Sequence, residues 1–482
     1  MAKDFTMPEC FTPLISPKGR TEMGREEGSN ILGSMPMGRL LFRVAGPIAL
    51  SMMVQSLYNV VDSVFVAKLG EAALNALSLA FPVQGLAGAC GLALGTGASS
   101  VLAKALGERN REKVEKTAGA SLVAMLLIWL PFLLFGLFGV STFFTILTED
   151  PAIADAGTEY LSIISAFSIG MMTQMMFERH LQAAGRSVLS MTAQVSGAVT
   201  NILLDPILIY GRLGCPAMGV TGAAVASVIG QFISCALAIG FCLTKNKEIP
   251  IKTRYIRFDR ALTGEMLRIG AGTGAMLALS AVMTFGVNKI IIGLSTSATA
   301  VFGAYYKIQS LAFIPLQGLG SAMIPVVSYN YGARKQQRMK QAIRINFLFN
   351  AAYMLLFTAV FMGMPRPLLA LFSANDAMYE IGVVALRVIS VGFVFSGISI
   401  ASSTVFQVLH KWKLSILVPV IRQIVPLLPL VYALAMLRNV DLVWIAFPLS
   451  EAAGAAISII GVSRVFRTTF KALPPEGAVK EL

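Results

Sequence analysis

The sequence predicts an all-α membrane protein with twelve transmembrane helices in two pseudo-symmetric six-helix bundles. Its composition, a series of long apolar stretches and an internal repeat all support this fold class. Of the 482 residues, 56% are hydrophobic and 13% are charged, whereas soluble domains average about 45–50% and about 25%. The chain carries too little charge to cover a soluble surface, which excludes a soluble enzyme, a disordered scaffold and a nucleic-acid-binding protein.

Twelve stretches are apolar enough to cross a bilayer, which takes roughly 20 mainly apolar residues in a helix. Helices are predicted rather than barrel strands because no alternating pattern is present and lipid requires backbone groups to be paired internally. The stretches are 40–66, 75–103, 117–143, 158–181, 187–210, 218–244, 266–292, 299–330, 344–364, 381–408, 414–437 and 443–466.

The distribution of basic residues predicts how these helices are oriented. There are 39 Lys and Arg against 25 Asp and Glu, and the basic residues lie in the amino-terminal tail and in every second loop after it. Loops rich in Lys and Arg stay on the cytoplasmic side. We therefore expect a multi-pass protein of the inner (plasma) membrane with both termini in the cytoplasm. Residues 1–36 lack the apolar segment of a signal peptide and are interpreted as a mobile cytoplasmic tail.

The second half of the chain repeats the first at an offset of 225 residues. Gly107 corresponds to Gly332, Gln182 corresponds to Gln407, and the segment LQAAGRSVLS corresponds to FQVLHKWKLS. Because each half has six helices, the two halves run in the same direction, and alternating access needs two such semi-rigid halves that rock around a central site. The predicted divisions are a tail at 1–36, an N-lobe at 37–244, a cytoplasmic linker at 245–262, a C-lobe at 263–470 and a second cytoplasmic tail at 471–482.

Three polar residues inside predicted helices of the N-lobe indicate a candidate site. Asp62 lies in the first helix, and Asn201 and Asp205 are four residues apart in the fifth, so they share one helix face. A charge within the membrane costs at least about 2.5–3.5 kcal/mol, so a buried acid indicates a function. The equivalent positions in the second half are Val287, Pro426 and Leu430.

We therefore expect the buried anions to be confined to the N-lobe, where they form a coupling-ion site. Two neighbouring carboxylates can exchange a proton near neutral pH. With amide and hydroxyl oxygens beside them, they can equally bind Na⁺, whose ligands would include Asp62, Asn201 and Asp205. An alternative for Asp205 is that it caps a helix break before Pro206.

Six further residues are candidates for the lining of a substrate cavity: Glu178, Met175, Tyr58, Gln55, Tyr306 and Lys307. Glu178 could attract a cationic substrate or pair with a nearby arginine, Arg179 or Arg186. Lys307 either extends to the membrane interface or neutralises a carboxylate. Pro47 lacks a backbone N–H and is a candidate hinge in the first helix.

Four segments carry a resemblance to a known family: NILLDPILIYG, GVTGAAVAS, LQAAGRS and YNYGARKQQRMK. From about residue 38 to residue 466 the chain resembles the MATE family (multidrug and toxic compound extrusion), in particular its bacterial MepA-like and DinF-like branch. The resemblance implies two bundles that form a V and export organic cations in exchange for Na⁺ or H⁺. Carried over, the first-lobe cation site of the family consists of Asp62, Asn201, Asp205 and Ser227, with Ser227 in place of a threonine.

The expected function is a monomeric exporter of a small molecule, surrounded by membrane lipid, with no nucleic acid and no cofactor besides the coupling ion. The alternative is a flippase or exporter of a lipid-linked or other endogenous metabolite, for which Lys289 and Lys307 provide few cations to bind a pyrophosphate. An intramembrane enzyme is a remote alternative, because the two histidines form neither an HExxH motif nor a Ser–His pair.

Overall fold

The protein, in a computed structural model that describes residues 30–372 and 374–472, is a bundle of twelve membrane-spanning helices. Ten spans are single helices, and two are helix pairs bent by 42° and 46°. The bounds are α1 Met37–Ala67, α2 Glu71–Gly107, α3 Arg111–Leu147, α4 Pro151–Ala166 with Ile169–Ala183, α5 Ser187–Tyr210, α6 Gly219–Lys245, α7 Arg260–Ile291, α8 Thr296–Gly332, α9 Gln336–Gly363, α10 Asp376–Ser390 with Phe393–Val408, α11 Trp412–Ala435 and α12 Val440–Thr469. The predicted fold class is confirmed.

The internal repeat extends to the backbone conformation of the turns between helices. Residues with positive φ are uncommon outside glycine. Three pairs of residues with positive φ nevertheless occur at the 225-residue offset, and five of the six residues are not glycine: Arg109 (56°) with Arg334 (57°), Gly185 (74°) with His410 (60°), and Leu213 (56°) with Arg438 (52°). The bent helices α4 and α10 are equivalent as well. Helices α1 to α6 form the N-lobe and α7 to α12 the C-lobe.

The lobes meet along α1 and α2 on one side and α7 and α8 on the other. Glycine makes this contact possible. A Cβ atom on Gly97 would lie 1.8 Å from the carbonyl oxygen of Met266, and one on Gly270 would lie 1.8 Å from that of Ala93. Since any side chain would collide with backbone there, the helices approach each other as closely as two backbones allow.

Twelve crossings place both ends of the described chain on one face, which we call the terminal face. There α2 and α8 cross reciprocally: a Cβ on Gly107 would lie 2.1 Å from the Tyr329 carbonyl oxygen, and one on Gly332 would lie 2.1 Å from that of Lys104. An ion pair between Lys113 of α3 and Glu265 of α7, at 3.4 Å, adds a further link between the lobes. The lobes are therefore closed against each other at the terminal face.

Residues 30–35, which we call the terminal strap, cross this face beside the closed contact. The sequence predicts that they belong to a mobile tail, but they include a short helix at Ile31–Ser34 that packs on the C-lobe. Arg338 donates hydrogen bonds to the carbonyl oxygens of Leu32 and Met35, and Lys335 donates to that of Gly33. The rest of the predicted tail, 1–29, lies outside the described residues, as do residues 473–482 of the second tail.

The segment between the lobes is slightly shorter than predicted. α6 ends at Lys245 and α7 begins at Arg260, so the connection spans 246–259, where 245–262 was expected. It contains one short 3₁₀ turn at Thr253–Tyr255. It also contacts the N-lobe, because Lys252 pairs with the buried Glu115 of α3 at 2.8 Å.

Candidate cation and substrate sites

Three of the predicted cation-site residues come together between α5 and α6. The Asn201 amide donates to Asp205 Oδ1 at 3.3 Å and to Ser227 Oγ at 3.2 Å, and all three side chains are buried. Glycines bring the helices close enough for this, since a Cβ on Gly197 would lie 2.4 Å from the Gly230 carbonyl oxygen. The four-residue spacing of Asn201 and Asp205 places both on the face that α6 covers.

Asp62 completes this group from α1. It is buried and lines a cavity of about 420 Å³ between α1, α2, α4 and α6, together with Ser227. Asp62 and Asp205 are close enough to interact electrostatically. The position of α1 is fixed one turn further on, where Tyr210 Oη donates to the Phe65 carbonyl oxygen at 2.7 Å.

The site contains buried oxygens that lack partners. Asp62 Oδ1, Asn201 Oδ1 and Asp205 Oδ2 have no hydrogen-bond partner among the described residues. An unsatisfied buried acceptor costs free energy, more so when it is charged, so such oxygens indicate a missing proton or ion. Hard cations take oxygen ligands. The four residues therefore fit either a proton on one of the two carboxylates or a small cation held by carboxylate, amide and hydroxyl oxygens.

Three of the predicted substrate-cavity residues adjoin this site. Gln55 and Tyr58 line the 420 Å³ cavity, and Gln55 accepts a hydrogen bond from the Gln194 amide of α5 at 3.1 Å. Met175 lines a smaller cavity of about 40 Å³ that also reaches Asn201. These residues form one continuous polar and apolar wall next to the carboxylates.

The other predicted residues lie elsewhere. Tyr306 lines a cavity in the C-lobe. Glu178 is buried and accepts a hydrogen bond from the Gln174 amide at 2.9 Å, and Lys307 is exposed and lines none of the cavities described here. Helix α1 continues without interruption through Pro47, so the hinge role of Pro47 stays a prediction.

The expectation that buried anions are confined to the N-lobe is wrong. Glu451 of α12 is mostly buried, and its Oε1 lies 2.9 Å from Nε of the buried Arg422 of α11. Arg422 is the only charged residue in VPVIRQIVPLL, and Glu451 is the only one in FPLSEAAGA. Because a charge inside the membrane costs free energy, this signal in the sequence could have identified both residues. The comparison of halves missed them because their counterparts at the 225-residue offset, Gly197 and Ala226, are uncharged.

A duplicated bundle of this kind, closed on one face and with cavities and buried charges in both lobes, is the architecture of a membrane transporter. Comparison with known proteins supports this class. The MatE family model matches residues 47–207 and 273–432, one match in each lobe. The chain therefore belongs to the MATE family of transporters, whose members export drugs and other small molecules and are not enzymes.

The curated relatives are distant in sequence, and a solved structure of low sequence identity has a similar fold. The FAD transporter of Shewanella oneidensis is 22% identical over 87% of this chain and 92% of its own. The multidrug export protein MepA of Staphylococcus haemolyticus is 23% identical over 74% of this chain and 80% of its own. A MOP superfamily transporter from Pyrococcus furiosus has a solved structure that superimposes with a TM-score of 0.84, at 23% identity, over 93% of this chain and 99% of that one.

Proposed function

We propose that this protein is a monomeric multidrug exporter of the inner membrane that exchanges organic cations for H⁺ or Na⁺ by alternating access. The observation that carries the proposal is the pair of buried carboxylates, Asp62 and Asp205, each with an oxygen that lacks a hydrogen-bond partner among the described residues, and Asp62 lines the 420 Å³ cavity. Two anions in a medium of low dielectric constant attract a cation strongly. An incoming coupling ion and an outgoing cationic substrate would compete for the same charge, and this competition couples the two movements.

The walls of the cavity suit an organic cation. Tyr58, Phe81 and Tyr160 line it together with Asp62. The faces of aromatic rings attract cations, and the attraction grows when water is excluded. Polyspecific binding follows because flat aromatic walls and a diffuse negative field place few restrictions on the shape of the ligand.

The direction of transport follows from which face is closed. The basic loops predict that the terminal face is cytoplasmic, and the lobes are closed against each other there. In this conformation the N-lobe cavity would open to the outside, where substrate leaves and the coupling ion enters. Transport is then completed when the lobes separate at the terminal face.

Uptake of ethidium into everted vesicles tests this proposal, with either an acidic or a Na⁺-loaded lumen as the driving force. Asp62→Asn and Asp205→Asn are expected to reduce the initial rate to less than about a tenth of the wild-type rate. Asp155→Asn makes the same carboxylate-to-amide change at an exposed position and should have no effect. Normal uptake by both site variants would show that the coupling site lies elsewhere.

Export of an endogenous nucleotide is a second candidate function. Its structural support is the buried Arg179, which lines a cavity of about 210 Å³ between the lobes and could bind a phosphate. The relative from Shewanella oneidensis carries the name FAD transporter. Uptake of FAD in place of ethidium by the same vesicles, together with loss of that uptake in Arg179→Gln, would favour this function over export of organic cations.

A further inference from the structure

The C-lobe contains a chamber that the coupling mechanism does not use. It has a volume of about 120 Å³ and lies between α7, α8, α10, α11 and α12. Arg422 and Glu451 both line it, and the aromatic rings in its wall are Tyr305, Tyr306, Phe313, Phe393 and Phe447. The rings contact one another; those of Tyr305 and Phe393 are nearly parallel, with centroids 6.5 Å apart.

The ion pair in this chamber does not use all the hydrogen-bonding groups of Arg422 and Glu451. Arg422 Nε lies 2.9 Å from Glu451 Oε1, while Glu451 Oε2 is buried without a hydrogen-bond partner among the described residues. A guanidinium group has five N–H donors in a planar fork, so contact with one carboxylate oxygen leaves donors for a second carboxylate. The chamber therefore presents a cation and an anion side by side against an aromatic wall.

Helix packing does not explain this ion pair. At the equivalent positions in the N-lobe, the packed helices α5 and α6 carry the uncharged residues Gly197 and Ala226. An ion pair in a low-dielectric environment is seldom more stable than an apolar contact of the same size. A stable pair of helices was thus available without Arg422 and Glu451, which indicates that the two charges serve a ligand.

We propose that the C-lobe chamber is a second binding site, selective for small aromatic zwitterions with the chemistry of an aromatic α-amino acid. The ligand ring packs against Tyr306 and Phe447, its carboxylate binds the guanidinium of Arg422, and its ammonium group binds Glu451. Cavities of about 150 Å³ hold benzene, so a chamber of about 120 Å³ must widen to take the ring and its charged substituents. The site is separate from the N-lobe carboxylates and requires no coupling ion.

Three probes with the same ring and different charges test the selectivity of the wild-type protein. The full-length chain in lipid nanodiscs is titrated at pH 7 with L-phenylalanine, which carries both charges, phenethylamine, which carries only the ammonium, and 3-phenylpropionate, which carries only the carboxylate. L-Phenylalanine is expected to bind at least tenfold more tightly than either analogue. Equal affinity for the three, or no binding of L-phenylalanine, would overturn the proposal without any variant.

Two variants should then change the order of affinities in opposite directions. Arg422→Gln leaves Glu451 without its cation, so phenethylamine should become the preferred probe and L-phenylalanine should weaken at least tenfold. Glu451→Gln should instead make 3-phenylpropionate the preferred probe. Arg366→Gln, at an exposed arginine of the same lobe, is the matched control.

A purely structural ion pair predicts a different pattern. Both variants would then lower the melting temperature and weaken all three probes by the same factor, and that result would contradict the proposal. Because binding is measured without an ion gradient, failure here leaves the proposed export function intact. Conversely, failure of ethidium uptake in vesicles leaves this site intact.

Discussion

The hydroxyl groups of Ser100 and Ser328, one from each lobe, lie 2.8 Å apart in the buried contact near the terminal face. They belong to α2 and α8, whose ends cross at Gly107 and Gly332. The two serines therefore report directly whether the lobes are closed. In alternating access this contact must break once in every transport cycle.

A disulfide between these positions should stop transport. In the double variant Ser100→Cys/Ser328→Cys, oxidation is expected to lower ethidium uptake to less than a tenth, because the lobes can no longer separate at the terminal face. Reduction should restore it. The measurement is vesicle uptake before and after treatment with oxidant and reductant. Each single cysteine variant is the control, and unchanged uptake after complete cross-linking would mean that the contact stays closed throughout the cycle.

Glycine at the inter-lobe contact should be irreplaceable. Gly270→Ala places a Cβ atom 1.8 Å from the Ala93 carbonyl oxygen, and overpacking of this kind costs about 1–3 kcal/mol. We expect a lower melting temperature and slower uptake. Gly264→Ala on the same helix is the matched control, since no atom lies within 4 Å of its Cβ position. Equal effects of the two substitutions would show that helix propensity, rather than contact between the lobes, determines the result.

The hydroxyl group of Ser227 should tune the affinity for the coupling ion. Ser227→Ala removes the oxygen that accepts a hydrogen bond from Asn201. A lost hydrogen bond or ligand of this type costs about 0.5–1.5 kcal/mol, or roughly two- to tenfold in affinity. The concentration of Na⁺ or H⁺ that gives half-maximal uptake should rise by that factor. Ser227→Thr keeps the hydroxyl group, so its half-maximal concentration should stay near the wild-type value. A wild-type value for Ser227→Ala would show that Ser227 does not belong to the coupling-ion site.

The closed terminal face should weaken in acid because of His410. This residue lies between α10 and α11, 3.5 Å from Ser100 Oγ. Burial, and secondarily the positive charge of Lys104, lower the pKa of His410 from 6.5 to about 4. Because the unfolded chain binds this proton more readily than the folded protein does, His410 does not change the stability above pH 6.5 and lowers it progressively as the pH falls from 6.5 towards 4.

The substitution His410→Asn tests this pH dependence. Asparagine tolerates the left-handed backbone that His410 adopts, with φ of 60°, and it does not titrate. Melting temperatures of wild type and variant are measured between pH 7.5 and pH 4.5, and the wild type should lose more stability over that interval. Parallel curves of melting temperature against pH would show that His410 does not contribute to the loss of stability in acid.

Sequence reasoning predicted the spans and the repeat for definite physical reasons, while the role of the N-lobe residues as a site stays a prediction. Lipid requires long apolar helices, so each span is visible by itself, and the four-residue spacing of Asn201 and Asp205 places both on one face without further information. Arg422 and Glu451 are 29 positions apart on different helices, and their pairing depends on how α11 packs on α12. The closure at Gly107 and Gly332 depends on tertiary packing in the same way, since a glycine in the sequence does not say which backbone approaches it.

The terminal strap joins parts of the molecule that move apart in the proposed transport cycle. Ile31 packs against Gly185 of the N-lobe, Asn30 donates a hydrogen bond to Glu248 of the linker, and Arg338 of the C-lobe holds the carbonyl oxygens of Leu32 and Met35. Opening of the lobes at this end must release one set of these bonds. In the proposed transport cycle, the first described residues of the chain thus contribute to the energy barrier for opening, although they lie outside both cavities.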